Sequence, residues 1–376
     1  MVQLSWDRII GQHRVKELMR RVLASGSVAH AHLFWGGEGV GKDAMAIEFG
    51  RALNCETNSV DPCGACASCR KVDLLQHPNL TLIFALPVGK NEQAGDDPVA
   101  GLSEDQVNAI QEELRSKAEN PYHRIAVPKA NFIKINSVRN LRREASLSSF
   151  EGGKRVFIIS NAEEMNPEAS NSLLKTLEEP SSDSVFILTT AKKEQLLPTI
   201  LSRCQLVQFD PLSEEELQEA LISRNGVDAV QAALVARLAN GSYTDAQEML
   251  SIDLVEQRQQ AVHFLRLVLG SQKIPLALEV ERIAGLGDRD AVERWMKLLG
   301  VWLRDAMVLR EQGEAGLLNR DHLNDLNSFN QKFPEAHLVQ ALETVEGSIA
   351  LVGKNGYLPL IVTSLAIDLK HQLASS

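Results

Sequence analysis

Gly36-Gly37-Glu38-Gly39-Val40-Gly41-Lys42-Asp43 is the stretch on which the reading of this chain turns. It fits G-x-x-x-x-G-K at Gly36, Gly41 and Lys42, follows the apolar run His32-Leu33-Phe34-Trp35, and leads into a helical pattern over Lys42–Leu53. In a strand–loop–helix of this kind, backbone N–H groups turn inward around phosphate oxygens. The helix N-terminus adds partial positive charge, and the lysine reaches the terminal phosphates. The sequence therefore predicts an α/β domain with Gly36, Gly39, Gly41, Lys42 and Asp43 as a nucleotide-binding set. The last motif position normally holds Ser or Thr, whose hydroxyl joins Mg²⁺. Asp43 places a carboxylate beside an anionic triphosphate, which is expected to weaken nucleotide binding or distort the metal site, so ATP binding stays open.

Hydrolysis needs acids at the end of a second strand, to orient the metal and activate water. The apolar run Val156-Phe157-Ile158-Ile159 ends instead in Ser160-Asn161, which are neutral near pH 7. Glu163 and Glu164 follow, where acids are favoured at a helix start. Val185-Phe186-Ile187-Leu188 is another continuous apolar run, as expected of a parallel strand covered on both faces. The helix between these runs spans Pro167 to Glu179, lined by Leu173, Leu174 and Leu177 and stopped by Pro180. Arg14–Leu23 carries a further helical stripe. Pro87–Pro128 breaks the rhythm. It reads as a partly mobile insertion with a helix near Gln106–Lys117.

After Asp210-Pro211 only helical stripes follow. The expected scheme is an α/β phosphate-loop domain over 1–210, with a metal module at 55–69 and the insertion at 87–128; a small helical domain over 211–252; and a helical domain over 253–376. Cys55, Cys63, Cys66 and Cys69 have the spacing C-x₇-C-x₂-C-x₂-C. Four thiolates fill a tetrahedral zinc and leave no open position, so the site is expected to be structural. His77 and His123 read as loop or surface residues, and Cys204 as a small buried residue beside Arg203.

The 376 residues carry a net charge of −10, against strong DNA binding by the chain alone. Arg139, Arg142 and Arg143 read as a solvated helix face. No apolar run is long enough to span a bilayer, and the opening Met1-Val2-Gln3-Leu4-Ser5-Trp6-Asp7 lacks signal-peptide features, so a cytoplasmic location is expected.

Taken together, several segments resemble the bacterial clamp-loader AAA+ family: Trp6-Asp7-Arg8-Ile9-Ile10-Gly11-Gln12, His30-Ala31-His32-Leu33-Phe34-Trp35-Gly36, Asn171–Pro180, and Leu197-Pro198-Thr199-Ile200-Leu201-Ser202-Arg203-Cys204. The resemblance covers residues 1 to about 250 well, and the rest only by length and helical character. It implies an AAA+ fold with a lid and a C-terminal collar domain, and a place in a pentameric loader that sets a sliding clamp on primed DNA. The partners it implies are a delta subunit and gamma/tau ATPases. ATP-hydrolysing family members look like Asp-Glu where this chain has Ser160-Asn161, Thr or Ser at Asp43, and an arginine at Thr244 in Gly241-Ser242-Tyr243-Thr244-Asp245-Ala246. The three departures together imply a non-catalytic member. Arg203 would then act as an arginine finger in the ATP site of a gamma/tau neighbour. The competing expectations are an active gamma/tau-like ATPase, favoured by Gly41-Lys42, and a zinc-dependent nucleic-acid-binding protein, opposed by the acidic balance.

Overall fold

The apolar runs lie side by side in one all-parallel sheet of order β2-β3-β4-β1-β5, made of β1 (Ala31–Trp35), β2 (Leu80–Ile83), β3 (Arg155–Ile159), β4 (Ser184–Thr190) and β5 (Gln205–Gln208). The computed structural model describes residues 5–374 apart from 58, 94, 147–152, 182, 252–253, 286–287, 315 and 355. Residues 1–4, read above for a leader, and the expected junction at 252–253 fall outside the described residues. Every residue of β4 is buried, as a central parallel strand requires. Phe157 of β3 stacks on Phe186 of β4 at 5.4 Å.

Helices cover the sheet. They are α1 (His13–Ser25), α2 (Lys42–Asn54), α3 (Ala67–Asp73), α4 (Glu104–Glu119), α5 (Ile135–Ala145), α6 (Pro167–Glu178) and the short α7 (Pro198–Leu201). The α6 boundaries follow from local chemistry: the Asn166 side chain accepts the Ala169 N–H, Pro167 occupies the first turn, and Pro180 bars continuation. Leu173 and Leu177 of α6 join Val138 and Leu141 of α5, with Leu33, Phe157, Ile159 and Leu188, in one buried core. The carboxyl ends of β1, β3 and β4 open on the same edge, where β1 lies between β4 and β5, the position at which open parallel sheets bind ligands.

The insertion holds α4, started by a capping box between Ser103 and Gln106. The start of the insertion is hydrogen-bonded to α5 and the residue before it. The buried Lys134 ammonium donates to Pro87 O (2.9 Å), Pro98 O (2.7 Å) and Glu92 (2.9 Å), and Asn136 donates to Glu92 and to Gln93 O. Arg139, Arg142 and Arg143 are exposed on α5, as expected of a solvated face.

The chain groups into two compact units, one of Met1–Asn225 with Ala239–Asp245 and one of Gly226–Leu238 with Ala246–Ser376. The stretch read as a lid is shared between them: α8 (Glu214–Asn225) lies in the first, α9 (Ala229–Leu238) in the second, and α10 (Tyr243–Leu250) begins in the first. The rest of the second unit is α11 (Leu254–Leu269), α12 (Lys273–Ala284), α13 (Arg289–Gln312), α14 (Leu323–Lys332), α15 (Leu338–Gly353) and α16 (Leu358–Leu373). The long α13 packs on α11, α14 and α15, with Trp295 edge-on to Phe264 at 4.9 Å. Among the described residues no helix is long and apolar enough to cross a membrane.

Candidate functional site

The predicted phosphate loop leaves β1 and delivers Lys42 to the first turn of α2. Gly41 sits at φ +99°, a conformation that L side chains rarely adopt, and a Cβ there would lie 2.9 Å from the Tyr122 hydroxyl. At Gly36 a Cβ would meet the Phe209 carbonyl at 2.3 Å, so both glycines are required by close approach. The Lys42 ammonium folds back into the loop, donating to Gly36 O at 2.9 Å and to Gly37 O. Burial lowers its pKa against the opposing pull of Asp43 and Glu163.

Asp43 is already engaged. Its carboxylate accepts from the Lys117 ammonium (2.9 Å) and the hydroxyls of Ser160 (2.6 Å) and Thr189 (2.7 Å). Burial opposes its ionisation, but Lys117 beside it and these hydrogen bonds outweigh that and hold its pKa down to about 2. Lys117 is 3% exposed and also donates to His123 O at 2.8 Å. Lys117→Met is expected to destabilise the fold by about 3 kcal/mol, because a largely buried carboxylate loses its counter-ion. Asp43 has a folded pKa below its ordinary 3.8, so its contribution is complete above that value and is lost as pH falls toward about 2. The gap between native and variant unfolding free energies should therefore be widest above about pH 4 and close below it. A gap that stays constant across that window in denaturant titrations would remove the pair as its source.

Ser160 and Asn161 close β3, as the sequence indicates. Ser160 is spent on Asp43, while Asn161 donates to Glu164 at 3.3 Å. Glu163 accepts the Ala191 N–H at 3.0 Å, and burial pushes the Glu164 pKa up. Thr244 donates its hydroxyl to Tyr122 O at 2.8 Å. Sequence reasoning missed Lys117, Tyr122 and Thr189. One signal was available for Lys117: it continues the buried stripe of Ile110 and Leu114 along α4, where a lysine needs a partner.

The four cysteines converge. Cys55 Sγ lies 3.6 Å from Cys63 Sγ and 4.0 Å from Cys66 Sγ, and Cys63 Sγ lies 4.0 Å from Cys69 Sγ. All four sulfurs fall within 4.8 Å of one another. A tetrahedral Zn–S distance of ~2.3 Å requires edges of ~3.8 Å, so the set fits one metal ion. Gly64, at φ +67°, makes the turn between Cys63 and Cys66, and the main-chain N–H groups of Cys63, Cys66 and Cys69 point at cluster sulfurs. His77 is buried in a loop and hydrogen-bonds Ser68 at 2.9 Å, bracing the module; His123 bonds Glu113 at 2.8 Å.

Arg203 lies between α7 and β5. Its guanidinium donates to Thr199 O at 2.9 Å and pairs with Glu178 at 2.6 Å, with the side chain 33% exposed. Cys204 next to it is partly buried against the sheet core, and burial pushes its thiol up to about 12.

Residues 11–213 match the family described as DNA polymerase III, delta subunit. DNA polymerase III subunit delta' of Bacillus subtilis is 29% identical over 72% of this chain and 69% of its own. The subunit delta' of Pseudomonas aeruginosa is 31% identical over 65% of this chain and 62% of its own. Subunit tau of Escherichia coli is 27% identical over 63% of this chain but only 31% of its own. Among solved structures, a DNA polymerase III gamma subunit-related protein of Thermotoga maritima aligns with 95% of this chain and 99% of that one, at 13% identity and TM-score 0.39.

Proposed function

The chain belongs to the DNA polymerase III delta-subunit family, and on that premise we propose that it serves as the non-catalytic delta' subunit of a clamp loader. In this reading it assembles in the cytoplasm with gamma/tau and delta subunits, and the complex places a sliding clamp on primed DNA. Relatives named delta' support the assignment. The observation that carries the non-catalytic part is the Asp43 cluster. The position that normally brings a hydroxyl to magnesium holds a carboxylate tied to Lys117 and Ser160, and Ser160 stands where a hydrolytic acid is needed. The divisions at 1–210, 211–252 and 253–376 become phosphate-loop, lid and collar domains. Ile274, Leu278, Leu360 and Ile367, exposed on α12 and α16, support a collar role. The four-cysteine set takes a structural zinc. Arg203 reaches the ATP of a gamma/tau neighbour.

The test is phosphate release by the pure chain, alone and mixed with gamma/tau and delta subunits. Alone it should release none above background; in the mixture it should co-purify and raise the turnover of its partners. Release by the pure chain that Lys42→Ala abolishes would establish instead a gamma/tau-like ATPase, a reading kept alive by the tau relative and by Gly41-Lys42.

A further inference from the structure

The space over the phosphate loop is filled by the chain itself. Lys117, near the end of α4, carries its ammonium onto Asp43. The turn that follows brings in Tyr122, 5% exposed, whose hydroxyl oxygen accepts the main-chain N–H of Ile10 at 2.7 Å. The Tyr122 ring meets Tyr243 edge-on at 5.0 Å, and its carbonyl takes the Thr244 hydroxyl at 2.8 Å. Arg124, half-exposed, pairs with Glu38 of the loop at 3.2 Å. What remains is a cavity of about 70 Å³ among Gly39, Lys42, Asp43, Lys117 and Asn161. Small-molecule sites run to roughly 300–1,000 Å³, so this remnant suits water and not a nucleoside triphosphate.

We propose that residues 117–125 are a built-in occupant of the phosphate-loop pocket, which takes up no ATP while they are seated. The Tyr122 ring, hydrogen-bonded to a backbone amide and packed on a second aromatic ring, uses the contacts by which a nucleobase is held. The Lys117 ammonium supplies the positive charge that a metal ion would otherwise bring to Asp43. Thr244 anchors the segment from the α10 side. A covalently tethered occupant competes at the high effective concentration of an intramolecular ligand, so free nucleotide is at a disadvantage even where Lys42 is intact.

The proposal concerns binding by the isolated chain and holds whether or not Arg203 acts on a neighbour, so it and the assembly reading fail separately. The full-length chain is titrated with a fluorescent N-methylanthraniloyl ADP and magnesium, beside the triple variant Asp43→Thr, Lys117→Ala, Tyr122→Ala. The native chain should give no saturable signal, and the variant should bind at least about tenfold more tightly. Equal binding by both, or a folded variant that binds no better than the native chain, overturns the proposal. Should the variant not fold, hydrogen exchange of the native chain decides. Slow exchange over 117–125, unchanged by magnesium ATP, supports the occupant; fast exchange there, or slowing of the phosphate loop when ATP is added, refutes it.

Discussion

On the proposed finger role, Arg203→Ala is expected to leave the complex assembled while slowing γ-phosphoryl transfer at a gamma/tau neighbour by ~10³-fold or more. A guanidinium bridges two phosphate oxygens and neutralises charge that grows in the transition state, so its loss falls on the chemical step. In the isolated chain Arg203 is held by Glu178 and Thr199 O. A partly exposed ion pair of this kind contributes less than about 1 kcal/mol, so reaching across to a neighbour costs little. Two further variants separate a finger from a local brace. Arg203→Lys keeps the charge without the planar fork and should recover only part of the rate. Glu178→Gln releases the guanidinium and should cost no turnover. The measurement is single-turnover phosphate release by the reconstituted complex. Loss of melting temperature in Arg203→Ala with an unchanged rate would leave Arg203 as a cap on α7.

The parts of this molecule governed by local rules were legible before any coordinates. Glycine spacing placed the loop between β1 and α2, continuous apolar runs marked β3 and β4, and Pro167 and Pro180 bracketed α6. The cysteine spacing was equally local, because ligands three residues apart reach one ion through a single turn. What escaped was set by distance along the chain. Lys117 and Asp43 are separated by 74 residues, Thr189 and Asp43 by 146, and Tyr122 and Ile10 by 112, so no periodicity joins them. The departures at Asp43, Ser160 and Thr244 could be read one by one as lost functions. Their shared use is visible only in the fold: Ser160 bonds the Asp43 carboxylate that holds Lys117, and Thr244 holds Tyr122. Helical stripes over 211–252 likewise state which face is apolar and not which core receives it.

Removing the metal is expected to have the largest effect on stability. Binding of structural zinc contributes ~10–16 kcal/mol in small peptides that fold only around the ion. Here part of the module is also held by protein contacts: Trp6 donates to Val60 O at 3.2 Å, Asp73 of α3 pairs with Arg8 and Arg51 at 2.5 Å each, and Arg20 pairs with Asp61 at 2.9 Å. The loss should therefore be smaller than in a peptide, yet still lower the melting temperature by at least about 10 °C. The damage should run into α2, because Cys55 caps its C-terminus and Arg51 and Glu48, both buried, pair within its last turns at 3.2 Å. Four thiolates freed of an ion cannot all stay charged at this spacing, so they would take up protons and the cluster would loosen. Cys69→Ser removes a ligand that sits wholly buried within α3 and should abolish metal retention, where the native chain is expected to hold about one zinc per molecule. Elemental analysis together with calorimetry of native, chelated and Cys69→Ser protein decides the matter. A metal-free chain that melts with the native one would reduce the cluster to four packed thiols.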